Sequence, residues 1–172
     1  ETDNFKAVHA CWDNNNIDYL RKTLVNNCLT NELIKELVKK DTELNIAIDQ
    51  TLKGKEMKMP EGLSFKDKDK TERNEIRIKW WEDPSKMTYR SISIEPLENL
   101  PEEKIDLSEL NDHNFYREDD KIVFFGHYWL KGEPSIYKDN ICCLDYSVAN
   151  KGKLVAYRFN NETTLNNKNF FY

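Results

Sequence analysis

The chain has 172 residues, of which 38% are hydrophobic and 12% aromatic. That is enough apolar side chain for a real core and too much for a disordered segment. A formal net charge of −5 disfavours a nucleic-acid partner, because gripping the phosphate backbone needs a basic face. No apolar run reaches the ~20 residues that span a bilayer, so no membrane segment is predicted.

In chain order, residues 5 to 12 predict a short buried strand that delivers His9. Ile17, Leu20, Leu24 and Val25 then fall at helical spacing, with Asn16 as the expected N-cap. Thr30, followed by Leu33, Ile34, Leu37 and Val38, predicts a capped amphipathic helix. Leu44, Ile46, Ala47, Ile48 and Leu52 predict another that ends near Gly54. Residues 17–53 thus read as one helical segment. The pattern changes at Gly54. Ile76, Ile78 and Trp80 alternate, as do Ile92 and Ile94, which predicts strands joined by polar turns. In a strand Trp80 and Trp81 face opposite ways, so one of them is expected to line a groove or a contact surface. "FKDKDKTER", residues 65–73, lacks the spacing of a calcium loop and reads as a solvated turn.

Residues 98–120 are acidic and irregular, with one helical turn expected around Leu107–Leu110. "KIVFFGHYW" is the most convincing buried strand of the chain. Two strands are expected around Asn150-Lys151-Gly152, a hairpin signal, with a short edge segment in the tail. Strand, helices and then a run of strands imply a mixed α/β fold. Neither a repeat nor a low-complexity linker divides residues 1–172, which read as one domain. The four cysteines, Cys11, Cys28, Cys142 and Cys143, form no CxxC pair. They predict reduced thiols in a cytoplasmic protein rather than disulfides or structural zinc.

Two of the three histidines, His9 and His127, stand where an apolar run ends. Ligands and catalytic groups of sheet proteins gather at such strand ends. A neutral imidazole there suits Zn, Mn or Fe, and it equally suits an ordinary hydrogen-bonded histidine. His113 sits in polar surroundings and reads as a surface histidine. Two histidines are too few for a catalytic metal site, which needs three or more protein ligands and an open position. Asp13, Asp83 and Asp145 are the carboxylates at hand.

"VHACWD", residues 8–13, "FFGHYWLKG", residues 124–132, "CCLDYSVANKGKLVAYRF", residues 142–159, and the segment ending in "WWEDP" together resemble the calcineurin-like metallophosphoesterases. The similarity is greatest to bacterial members related to serine/threonine protein phosphatases and diadenosine tetraphosphatases, and it extends over essentially the whole chain. It implies part of an α-β-β-α sandwich with a helical insertion. It also implies two divalent metal ions (Mn, Fe or Zn), with His9 and His127 binding one of them. A metal-bridging hydroxide would attack phosphorus in line. The family's GDxHG, GDxxDRG and GNH motifs are missing, since none of the five glycines is followed by Asp or opens Gly-Asn-His. With Glu1 in first place, the chain is expected to be the C-terminal portion of a longer or two-chain phosphoesterase. The rest of the catalytic half would be its partner, and this chain alone would be inactive. Trp129 stands where many relatives carry a second histidine, as on the protein-phosphatase side of the family.

Arg73 and Arg77 precede "WWEDP" in a region resembling the family's substrate loop. They are the expected phosphate contacts, because the guanidinium fork matches phosphate oxygens. A pair of solvated arginines on an exposed strand fits the same residues. Asp145 and Tyr146 lie in a loop that approaches the site in relatives, where Tyr146 would bind phosphate or product or simply pack. The other class of function is a non-catalytic phosphoesterase-like module that binds a partner.

Overall fold

The computed structural model describes every residue except 67–69 and 111. The elements run β1 (Phe5–Ala7), α1 (Asn14–Thr23), α2 (Asn31–Leu37), α3 (Glu43–Lys53), β2 (Glu56–Lys58), β3 (Phe65–Lys66), β4 (Glu72–Arg73) and β5 (Glu75–Arg77). They continue with α4 (Tyr89–Ile92), β6 (Ile122–Phe125), β7 (Ile141–Cys143), β8 (Asp145–Tyr146), β9 (Lys153–Leu154), β10 (Ala156–Tyr157) and β11 (Phe170–Phe171). Among the described residues, four short 3-10 turns complete the order. The result is a mixed α/β chain with several small sheets. No described helix is long and apolar enough to cross a membrane. The chain forms two compact units, residues 1–53 with 117–172, and residues 54–116. The boundary falls at Gly54, where the hydrophobic pattern changes from helical to alternating.

The first unit is built on a three-stranded parallel sheet in the order β1-β6-β7. Phe5 pairs with Ile122 and Ala7 with Phe124, while Phe125 pairs with Cys143. All four residues of β6 and all three of β7 are buried. An unbroken apolar run is what a strand covered on both faces requires. One core cluster joins Ile122, Phe124, Cys142, Tyr146, Val155, Leu165 and Phe170. The strand expected over residues 5 to 12 stops at Ala7. Val8 N still donates to Phe124 O, but Ala10 N and Cys11 N turn to the Thr51 carbonyl at the end of α3. Those donors therefore leave the sheet. Helices α1–α3 close on Leu20, Leu44 and Ala47. Asp13 rather than Asn16 caps α1, its carboxylate accepting from Asn16 N at 3.0 Å. A carboxylate at that position also meets the positive end of the helix dipole. Thr30 caps α2 as its sequence predicts.

In the second unit β2 pairs antiparallel with β5, and β3 with β4; residues 67–69, part of the segment expected to be a solvated turn, lie outside the described residues. Met57, Met59, Ile76, Ile78, Tyr89, Ile92, Leu100 and Ile105 make its core. Ile92 ends a helical turn instead of a strand. Thr88 and Ser91 form a reciprocal capping box, which gives the backbone a local alternative to the sheet. Pairing resumes at once, with Ser93 bridging Ile78. Trp80 and Trp81 are both buried and meet edge to face at 5.3 Å. They lie in a turn beyond β5, where strand alternation no longer forces one outward. A 3-10 turn stands at Leu107–Glu109, as expected.

The hairpin signal at Asn150-Lys151-Gly152 is met by β8 and β9, with Asp145 opposite Leu154. The tail supplies β11, which pairs with β10. A Cβ on Gly152 would stand 1.9 Å from the Tyr146 carbonyl oxygen, a rigid backbone atom. Gly152→Ala is therefore expected to cost more than about 2 kcal/mol, read as a lower urea midpoint. Burial also pushes the Cys143 thiol up to about 12, and raises that of Cys142 in the same way. The unfolded thiols titrate near 8.5. The folded chain keeps protons that the unfolded chain releases, so this stability is complete below about pH 8.5 and declines as pH climbs towards 12. Urea unfolding at pH 7 and pH 10 should show the lower midpoint at pH 10, and Cys142→Ser with Cys143→Ser should narrow the difference.

Candidate functional site

The three parallel strands end at one edge of the sheet. His9 follows β1 by two residues, His127 follows β6 by two, and Asp145 follows β7 by two. Parallel register brings these equivalent positions side by side. The backbone continues the alignment past the strands. Gly126 N donates to His9 O at 2.9 Å, and Leu144 N to Phe125 O at 2.8 Å. His9 Nε2 and His127 Nδ1 then face each other at 3.2 Å, with ring centroids 5.1 Å apart. One nitrogen of such a pair donates and the other accepts. His9 is exposed and His127 half-buried, so the pair opens towards water.

The turn after β6 is unusual. His127 has φ 74° and Trp129 has φ 52°, both left-handed without being glycine. Each such residue costs about 1–2 kcal/mol and persists only where its surroundings hold it. Gly126 leads into the turn under a close neighbour, since a Cβ there would lie 3.4 Å from Asp145 Cβ and 3.7 Å from His9 O.

The candidate carboxylates are engaged with the backbone. Asp145 Oδ2 accepts from Trp129 N at 3.3 Å and Oδ1 from Ser147 N at 3.1 Å. Asp13 caps α1, and Asp83 Oδ1 accepts from Ser85 N and Ser85 Oγ. Among the described residues, no group of three or more His, Cys, Asp or Glu is arranged to hold a metal ion. The histidine pair by itself offers two nitrogens, fewer than a catalytic metal site needs.

Tyr146 belongs to the first unit and is buried in its core cluster. Its hydroxyl accepts from Ser135 N at 3.0 Å. Arg73 and Arg77 belong to the second unit. Arg73 is exposed on β4, and Arg77 ends β5 with Nε 3.6 Å from Glu56 on the paired strand. His113 is exposed, with Nε2 2.8 Å from Leu107 O. Asp145 lies against the turn that carries His127, and the sequence holds a signal of that placement besides the resemblance. "IVFFGH" and "ICCLD" deliver a polar residue at the same offset from a buried run.

The chain matches no protein-family model, no curated protein and no solved structure.

The space around Gly126 sets a size limit. Gly126→Ala should cost less than about 1 kcal/mol, because its Cβ makes ordinary contacts. Gly126→Val should push His9 and Asp145 apart and cost several times more. Denaturant midpoints of the two variants check the ranking.

Proposed function

We propose that this chain is part of a dinuclear metal-dependent phosphoesterase, in which His9 and His127 bind one divalent ion and further ligands come from outside these residues. The observation that carries the reading is the facing of His9 Nε2 and His127 Nδ1 at 3.2 Å. Two nitrogens on one ion at about 2.1 Å, at tetrahedral or octahedral angles, stand about 3.0–3.4 Å apart. The pair thus has the spacing of two cis ligands, and an ion would take the place of the shared proton. Its position at the carboxyl edge of a parallel sheet also supports the reading, as does the resemblance of the histidine segments to the metallophosphoesterase motifs.

Divalent ions at such a site supply charge to neutralise phosphoryl oxygens and to acidify a bound water. The chain's own residues hold the two imidazoles at a fixed separation and leave His9 open to water. On this reading the sheet is part of the family's α-β-β-α sandwich, and residues 17–53 are the helical insertion. Arg77 and Arg73 are the proposed phosphate contacts. Tyr146, with its hydroxyl taken up by Ser135, acts through packing. Mn, Fe and Zn all suit imidazole nitrogen, and the acidic chain favours small phosphate esters or anhydrides, or phosphoprotein, over long nucleic acid.

The test is hydrolysis of p-nitrophenyl phosphate with added Mn²⁺, first by this chain and then with upstream sequence or a complementing chain present. The chain alone should be silent and the completed protein active. His127→Ala in the active form should lose roughly 100-fold or more. Silence in both forms would favour a non-catalytic binding module.

A further inference from the structure

A histidine held at φ 74° has to be fixed by something other than its own backbone preference. The sheet fixes only the entrance to the turn, through Gly126 N on His9 O. Beyond His127, three hydrogen bonds lead from the turn to one short segment. Leu130 N donates to Asp145 O at 2.9 Å, Trp129 N to Asp145 Oδ2 at 3.3 Å, and Ser147 Oγ to Leu130 O at 3.2 Å. The other carboxylate oxygen, Oδ1, accepts from Ser147 N at 3.1 Å and so fixes the segment that holds the turn. Ser147 is itself left-handed, at φ 59°. One side chain therefore ties two left-handed positions, Trp129 and Ser147, and His127, between the bonds at Gly126 N and Trp129 N, stands on a third.

We infer that Asp145 is a positioning residue for His127: its carboxylate pins the turn 126–130 so that His127 Nδ1 stays opposite His9 Nε2. The carboxylate acts here by accepting backbone N–H groups and not as a ligand. Charged acceptors make stronger bonds than neutral ones, which suits a clamp on a strained turn. The consequence for metal binding rests on the function proposed above, whereas the effect on the rings does not.

Three histidines make the ring spectrum of this chain easy to assign, and His113 in the second unit is an internal control. In the unaltered chain the Trp129 and Ser147 amides should exchange with solvent at least about tenfold more slowly than in an unfolded chain. Unprotected amides would overturn the proposal without any variant. Asp145→Ala should abolish the nuclear Overhauser contact between the His9 and His127 rings and leave the His113 ring unmoved. Asp145→Asn, which keeps one acceptor oxygen, should restore much of that contact. A folded Asp145→Ala chain with the ring contact intact, or an Asn variant no better than Ala, would overturn the assignment. Titration with Mn²⁺ separates the two levels. Both rings should broaden together in the unaltered chain, and Asp145→Ala should need about tenfold more Mn²⁺. Rings that separate in Asp145→Ala but ignore Mn²⁺ in the unaltered chain would uphold the positioning role and remove the metal reading.

Discussion

The parallel pairing of Phe5–Ala7 with Ile122–Phe125 is the constraint on which the candidate site depends. Each strand alone would present its histidine at an arbitrary height. In register, Ala7 sits opposite Phe124, and the chain leaves both strands at nearly the same level. The Gly126 amide then closes on the His9 carbonyl, and the two imidazoles are left face to face. A slip of one residue would turn every side chain of β1 to the other face of the sheet. The uneven burial of β1, with Lys6 buried and Ala7 exposed, makes the two registers unequal. Burial of Ile122, Val123, Phe124 and Phe125, each worth about 1.5–3 kcal/mol, anchors the strand against which β1 is set.

Carboxylates and imidazoles have different partners in this chain. The carboxylates that composition alone offers as ligands are used to fold the backbone: Asp13 starts a helix, Asp83 starts a 3-10 turn, and Asp145 holds a loop. The imidazoles of His9 and His127 meet each other at 3.2 Å. They are positioned by their neighbours and left with nitrogen facing nitrogen. His127, Trp129 and Ser147 are three of the left-handed non-glycine residues among the described residues, and bonds from Asp145 and Ser147 tie the segments that carry them.

Much of this was legible in the residues. The buried strand "IVFF", the Thr30 cap, the helix ending before Gly54 and the hairpin around Gly152 follow from local chemistry, and local chemistry wins where no long-range contact competes. The misplaced elements have a different cause. Ile92 and Ile94 alternate like a strand, but Thr88 and Ser91 satisfy each other's backbone and start a helix. Trp80 and Trp81 were expected to part company because a strand was assumed where a turn stands. The strand from residue 5 stops early because a helix carbonyl at Thr51 competes for its amides. His9 and His127 could be singled out by their place after apolar runs. Their mutual distance could not, because it depends on a pairing between segments 117 positions apart, as Phe5 and Ile122 show.

That separation bears on how the chain comes to have a site at all. Residues 54–116, a compact unit with its own core, stand in sequence between the strand that carries His9 and the strand that carries His127. Sequential synthesis releases β1 long before its partner exists, so the first strand has to wait with unpaired backbone groups while a whole second unit is made. Loop closure over that span becomes cheaper when the intervening residues are already condensed, because a folded insertion shortens the effective loop. Were residues 54–116 to condense first, the loop to be closed before the ends of β1 and β6 meet would be effectively shorter.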